Sequence, residues 1–145
     1  MEKSINEIEE EITDEFSFFE SWQDKYEYLI ELGKKLKDFP EENRNDDYKV
    51  KGCQSSVWIV TSEEDGKIFF KADSDSTIVK GLIALLVRVL NGRTADEILN
   101  AKLDFFNRTG LRQHLAQTRA NGLEAITKQM KMYALAYKAK QESVS

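Results

Sequence analysis

Between Ile78 and Leu90 only Lys80 and Arg88 interrupt an otherwise apolar run. A helix made of this stretch offers water almost no polar face, and it falls short of the roughly 18 consecutive apolar residues of a membrane span. The rest of the chain must therefore enclose it. The pattern predicts a helix over Thr77 to Leu90, capped by Asp75 or Ser76, stopped by Gly92 and crossing the middle of the core. Gly81 would let another element approach it closely. A chain of 145 residues can wrap one such element but not two full cores, which predicts one domain over residues 1–145.

The remaining elements follow from periodicity and end signals. Ile5, Ile8 and Ile12 lie at helical spacing, and Ser4 with Glu7 makes a capping box, predicting a helix from Ser4 to Glu15. Trp22, Tyr26, Leu29, Ile30, Gly33, Leu36 and Phe39 recur by threes and fours, predicting a second from about Ser21 to Phe39, ended by Pro40. After a polar loop the period shortens, giving candidate strands Tyr48 to Val50, Val57 to Thr61 and Lys67 to Lys71, the last two joined by an Asp65-Gly66 hairpin turn. Thr94 with Glu97 boxes a short helix to Ala101, and Asp104 to Leu115 reads as helix broken at Gly110. Leu123, Ile126, Met130, Tyr133, Ala134 and Tyr137 share one face of a final helix, Thr118 to Gln141. Helices, then a small antiparallel sheet of about three strands, then helices: this order predicts an α+β fold with helices packed on one face of the sheet.

Charge is uneven: the first 50 residues stand at −9 and the last 40 at +5 within a total of −5. The opposite ends either lie against each other or face a partner. An acidic chain without a long basic stripe is a poor match to nucleic acid, which needs clustered cations against its phosphates. A protein partner or a small molecule is the better match. The acidic runs Glu9-Glu10-Glu11 and Glu41-Glu42 read as solvated surface. Met1 to Glu15 lacks the basic start and apolar run of a secretory signal, and with no membrane span this predicts a cytoplasmic protein. No P-loop, dinucleotide fingerprint or zinc-ligand spacing occurs.

The single cysteine, Cys53, excludes an internal disulfide and a thiolate metal cage. Core cysteines sit among apolar neighbours on the inward period of an element, whereas Cys53 lies between Gly52 and Gln54-Ser55-Ser56 in the turn joining the first two strands. Gly52 permits unusual backbone angles or a close approach, and Lys51 offers a positive field that favours thiolate. These residues fit a reactive thiol, although a turn cysteine can also fold inward and stay inert.

The segment Val50-Lys51-Gly52-Cys53-Gln54-Ser55-Ser56-Val57-Trp58 resembles the cysteine loop of the SufE family of sulfur acceptors in iron–sulfur cluster assembly. Asp73-Ser74-Asp75-Ser76-Thr77-Ile78-Val79-Lys80-Gly81-Leu82 is similar to that family's helix entry, and Leu115 with Arg119-Ala120-Asn121-Gly122-Leu123 to its entry into the last helix. The three blocks stand in the family's order around the lone cysteine, and the likeness spans roughly residues 15–140. It implies a SufE/IscU-like fold and an accessory protein rather than an enzyme. Such a protein takes persulfide sulfur from a SufS-type cysteine desulfurase onto Cys53, raises that enzyme's turnover, and delivers sulfur to a scaffold of the SufBCD type. Pyridoxal phosphate would belong to the desulfurase and no cofactor to this chain; a homodimer is compatible with the likeness.

Around Cys53, the resemblance implies partner-binding or loop-supporting roles for Lys51, Gly52, Gln54, Ser55, Asp75 and Arg119. Arg119 could steady a thiolate or grip an acidic patch, or be a solvated helix-start residue. Asp75 could orient the loop or cap the following helix, and Gln54 and Ser55 could bond the loop or the bound sulfur. Trp58 is expected in core packing or on a partner-facing surface, and Met130 and Met132 in core and boundary. The rival from another class is a Cys53/His114 thiol hydrolase, since His114 is the only imidazole. Its place between Gln113 and Leu115 fits a partly exposed structural histidine.

Overall fold

The computed structural model describes residues 3–144; Met1, Glu2 and Ser145, part of the expected unit 1–145, lie outside the described residues. Along them run α1 (Ile5–Ser17), α2 (Trp22–Gly33), β1 (Val57–Glu64), β2 (Lys67–Ser74), α3 (Thr77–Leu90), β3 (Arg93–Thr94), α4 (Ala95–Asn100), α5 (Phe105–Arg108), α6 (Leu111–His114) and α7 (Gln117–Val144). The sheet is antiparallel in the order β1-β2-β3, an α+β fold of three strands with helices.

The apolar run holds the centre, as its composition requires. In α3, Leu82, Ile83, Leu86, Val89 and Leu90 have no exposed surface, and each such side chain contributes roughly 1.5–3 kcal/mol by leaving water. The helix packs against α1, α2, α7 and β2. Its approach to α2 is close enough to need two glycines: a Cβ on Gly81 would stand 2.3 Å from Leu29 O, and one on Gly33 2.8 Å from Gly81 N. Ser76, not Asp75, caps α3 by accepting from Val79 N. Asn91 and the left-handed Gly92 (φ +75) end it.

The hairpin forms at Asp65 and Gly66, both at positive φ (54° and 79°), the pair of angles that a type I′ turn needs. Val57, Ile59, Ile68, Phe70 and Ala72 alternate onto the buried face, which α3 and α7 cover. Both strands outrun their expected ends, because their last residues keep pairing after the apolar pattern fades. Tyr48 to Val50 lies against β1 through one bridge, Lys49 to Trp58, rather than as a full strand. The third strand is β3, two residues pairing with Lys67 and Ile68, too short to leave a period in the sequence.

Helix α2 stops at Gly33, well before Pro40. The chain turns away from the α3 crossing there, and Leu36 still reaches the core from the turn, so its spacing mimicked a longer helix. The boxed α1 and α4, the break at Gly110 and the long α7 match expectation. In α7, Leu123, Ile126, Met130 and Ala134 are buried, but Met132 is exposed rather than at a boundary.

The charge map follows its simplest reading only in part, since Glu10 meets Arg108 of the basic end but, among the described residues, no α1 carboxylate pairs with α7. Helix α7 packs on α3, α4 and β1, and the α1 carboxylates turn to other elements: Glu15 and Glu11 to Arg88, and Glu10 to Arg108 at 2.6 Å. Glu9 is not solvated. It is buried and accepts from Phe105 N at 3.2 Å, and burial raises its carboxyl above the usual range. No helix among the described residues is long and apolar enough to cross a membrane.

Candidate functional site

Cys53 sits in the bend between Val50 and β1, and three sets of contacts fix that bend. On entry, Val50 N donates to Val57 O at 2.8 Å and Ile59 N to Tyr48 O at 3.0 Å. On exit, Ser56 N donates to Asp75 Oδ1 at 3.0 Å, Asp75 N donates back to Ser56 O at 3.2 Å, and Ser74 Oγ donates to the same carbonyl at 2.8 Å. At the apex Gly52 takes φ +90, a conformation that strains any residue with a side chain. A Cβ there would lie 3.4 Å from Ala125 Cβ, so the bend rests on α7.

Beside the exit stands an ion cluster centred on the buried Asp73. Asp73, opposite Trp58 in the sheet, pairs with Arg44 and with Lys80 Nζ at 3.2 Å and accepts from Ser74 N at 2.8 Å. Burial pushes the Asp73 carboxyl up, but bonds from Arg44, Ser74 and Lys80 outweigh it and hold it below the usual carboxylate range. Arg44 also lies 5.6 Å over the half-buried Trp58 ring. The strand that carries Ser74 toward Asp75 is thereby clamped.

The thiol of Cys53 faces the start of α7. Its Sγ is 3.7 Å from Gly122 O, a weak S–H donor contact, and borders a cavity of about 240 Å³. Cys53, Gln54 and Ser55 line this cavity from the loop, Val79 from α3, and Ala116, Thr118, Arg119 and Gly122 from around the α7 start. Arg119 is exposed, and its side chain makes no ion pair with a described residue. Burial pushes the Cys53 thiol up, so the neutral thiol dominates. The expectation that Lys51 would favour thiolate fails here: Lys51 is exposed and does not line the cavity, so desolvation wins.

The fold thus brings Gln54, Ser55 and Arg119 to the thiol, and holds the loop through Gly52 and Asp75. Asp75 orients the loop instead of capping α3. His114 is engaged elsewhere. Its Nδ1 lies 3.0 Å from Gly110 O, which can only accept and so assigns the proton to that nitrogen. Its ring stacks on Trp22 at 3.6 Å, and it does not line the Cys53 cavity. Sequence reasoning missed Gly122, Ser56 and Arg44. Gly122 stood in view within the Arg119 block, but its nearness to a cysteine 69 positions away is a tertiary fact.

The SufE family model, described as an Fe-S metabolism associated domain, matches residues 10–134. A SufE-like protein of Rhizobium meliloti is 42% identical over 130 residues, covering 86% of this chain and 93% of its own. One of Synechocystis is 45% identical over 113 residues, 78% of this chain and 71% of its own. The solution structure of a hypothetical protein from Thermus thermophilus superposes with a TM-score of 0.75 at 19% identity, over 91% of this chain and 96% of that one, a likeness of fold.

Proposed function

The chain belongs to the SufE family of iron–sulfur metabolism, and on that premise we propose that Cys53 accepts sulfur from a cysteine desulfurase and carries it toward cluster assembly. The Cys53 thiolate attacks the outer sulfur of a persulfide on the partner's cysteine. The bond from Cys53 Sγ to that sulfur forms, the donor's S–S bond breaks, and the donor leaves as its own thiolate. The step is redox-neutral and needs one nucleophilic sulfur. Clearing the product persulfide is what raises the donor's turnover, so the chain acts as a cytoplasmic accessory protein.

The observation that carries this reading is the sheltered thiol beside unfilled space. An S–S bond of about 2.05 Å places the outer sulfur just beyond Sγ, where the cavity of about 240 Å³ has room for it. This chain has no second cysteine to attack the loaded persulfide and release sulfide. Because burial keeps the free thiol protonated, docking of a SufS-type donor has to open the loop or supply positive charge, and Arg119 at the cavity wall is the side chain placed to help. The downstream acceptor is a scaffold of the SufBCD type, and pyridoxal phosphate stays with the desulfurase.

Incubation with a SufS-type desulfurase and free cysteine, followed by intact mass measurement, tests the proposal. The expected product carries one added sulfur on Cys53, removed by reductant and absent from Cys53→Ser. An unchanged mass while the donor turns over sinks it. His114→Ala should load as the parent does, since nothing brings that ring to the thiol; loss of loading would point to the hydrolase chemistry instead.

A further inference from the structure

On the side of α7 formed with α4 and α5, a second cavity, of about 460 Å³, shares no residue with the Cys53 cavity. Leu103, Phe106 and Leu123 form its floor, and on its lip stand Met132 and Leu135, 53% and 56% exposed. Large apolar side chains left in water on one helix face, over an apolar trough, are a surface without its cover. The rim is cationic. Lys102, Arg112, Lys128 and Lys131 line it against one carboxylate, Glu124, which Arg112 engages at 3.1 Å. Lys131 Nζ donates to Ala101 O at 2.6 Å, a neutral acceptor that leaves its charge in place, so Lys102, Lys128 and Lys131 all stand without an ion pair to a described residue.

We propose that this groove docks an acidic amphipathic helix of a partner protein, at a site separate from the thiol. The lining runs along α7 from Leu123 to Leu135, which at 1.5 Å per residue is about 18 Å, the length of about three helical turns. A helix laid there would put its apolar stripe on the trough and its flanking carboxylates beside Lys102 and Lys128. A second copy of this chain is a poor occupant, because the acidic α1 has Glu10, Glu11 and Glu15 already paired with Arg108 and Arg88. Nucleic acid is a poor one too, since the floor is apolar and three lysines without an ion pair are few against a phosphate backbone.

The test uses a fluorescein-labelled synthetic peptide of about 14 residues, with leucines at i, i+3, i+4 and i+7 and glutamates flanking them, followed by anisotropy on the whole chain. Binding should weaken at least about tenfold with Lys102→Glu/Lys128→Glu, with Leu135→Glu, and with a peptide whose glutamates are lysines. All substituted side chains are exposed, so circular dichroism should be unchanged, and sulfur loading of Cys53 should be retained in each variant. Three results overturn the proposal: a scrambled peptide binding equally well, a single-stranded oligonucleotide binding as tightly with the same dependence on Lys102 and Lys128, or self-association of the chain abolished by Leu135→Glu. A failure here leaves the sulfur-loading assay standing, and a failure there leaves the peptide assay standing.

Discussion

A methyl group on Gly122 would stand 3.8 Å from Cys53 Sγ, in ordinary contact with the thiol and in the way of anything attached to it. Position 122 lies within α7, where alanine is favoured over glycine by up to about 1 kcal/mol. Gly122→Ala should therefore keep or raise thermal stability, yet slow sulfur loading of Cys53 by about tenfold, the equivalent of ~1.4 kcal/mol of crowding as the outer sulfur approaches in the transition state. Unchanged loading, read by intact mass over time, would show that the outer sulfur leaves by another side.

The half-buried Cys53 thiol, turned toward α7, makes the free protein slow toward electrophiles. Its thiolate fraction should rise with pH around a midpoint above the ordinary value of about 8.5, seen as the pH profile of iodoacetamide alkylation. The linkage has a definite sign. Between the unfolded and folded pKa values the native state binds more protons, so stability is full below about 8.5 and falls as pH rises through the folded value. Cys53→Ser should flatten that loss, and an alkylation midpoint at or below the ordinary value would contradict the sheltered geometry. Tyr28, pushed up to about 12 by burial and by its bond to Glu15, adds a loss of the same sign at higher pH.

Asp75→Ala removes the acceptor for Ser56 N at the exit of the cysteine loop. Asp75 is exposed, so water can replace it in part, and the expected stability cost is about 1 kcal/mol. The larger effect should be on the loop: iodoacetamide should reach Cys53 several-fold faster at the same pH. Equal rates would mean that the Ser74 and Val50 bonds hold the bend unaided.

Gly81→Ala puts a carbon 2.3 Å from Leu29 O, a backbone atom that cannot swing aside. Helices α2 and α3 must separate, at a cost of about 3 kcal/mol or more. A denaturant midpoint close to the parent's would show that the crossing is looser than this geometry.

Local chemistry was legible from the chain. The capping boxes at Ser4 and Thr94 and the Asp65-Gly66 turn act over a few residues, so their residue types suffice to place them. The span of α2 was not, because Leu36 reaches the core from a turn, and an apolar count does not distinguish a helix from a segment folding back. Nor was β3, whose two residues pair only because β2 lies beside them. Lys51 misled for a related reason: closeness in sequence suggested a field on the thiol, whereas burial against α7 governs it.

The chain by itself determined which thiol is available, that a bend at Gly52 holds it, and that the Ile78 to Leu90 segment must be enclosed. These follow from residue identity, from steric limits on φ and ψ, and from the aversion of apolar surface to water. Only the tertiary structure decided that Gly122 and Arg119 share a cavity with Cys53, that Asp75 ties the loop rather than capping α3, and that Met132 and Leu135 stand in solvent beside unpaired lysines. Those relations join residues far apart in the chain, and they arise only when α7 is laid across the core.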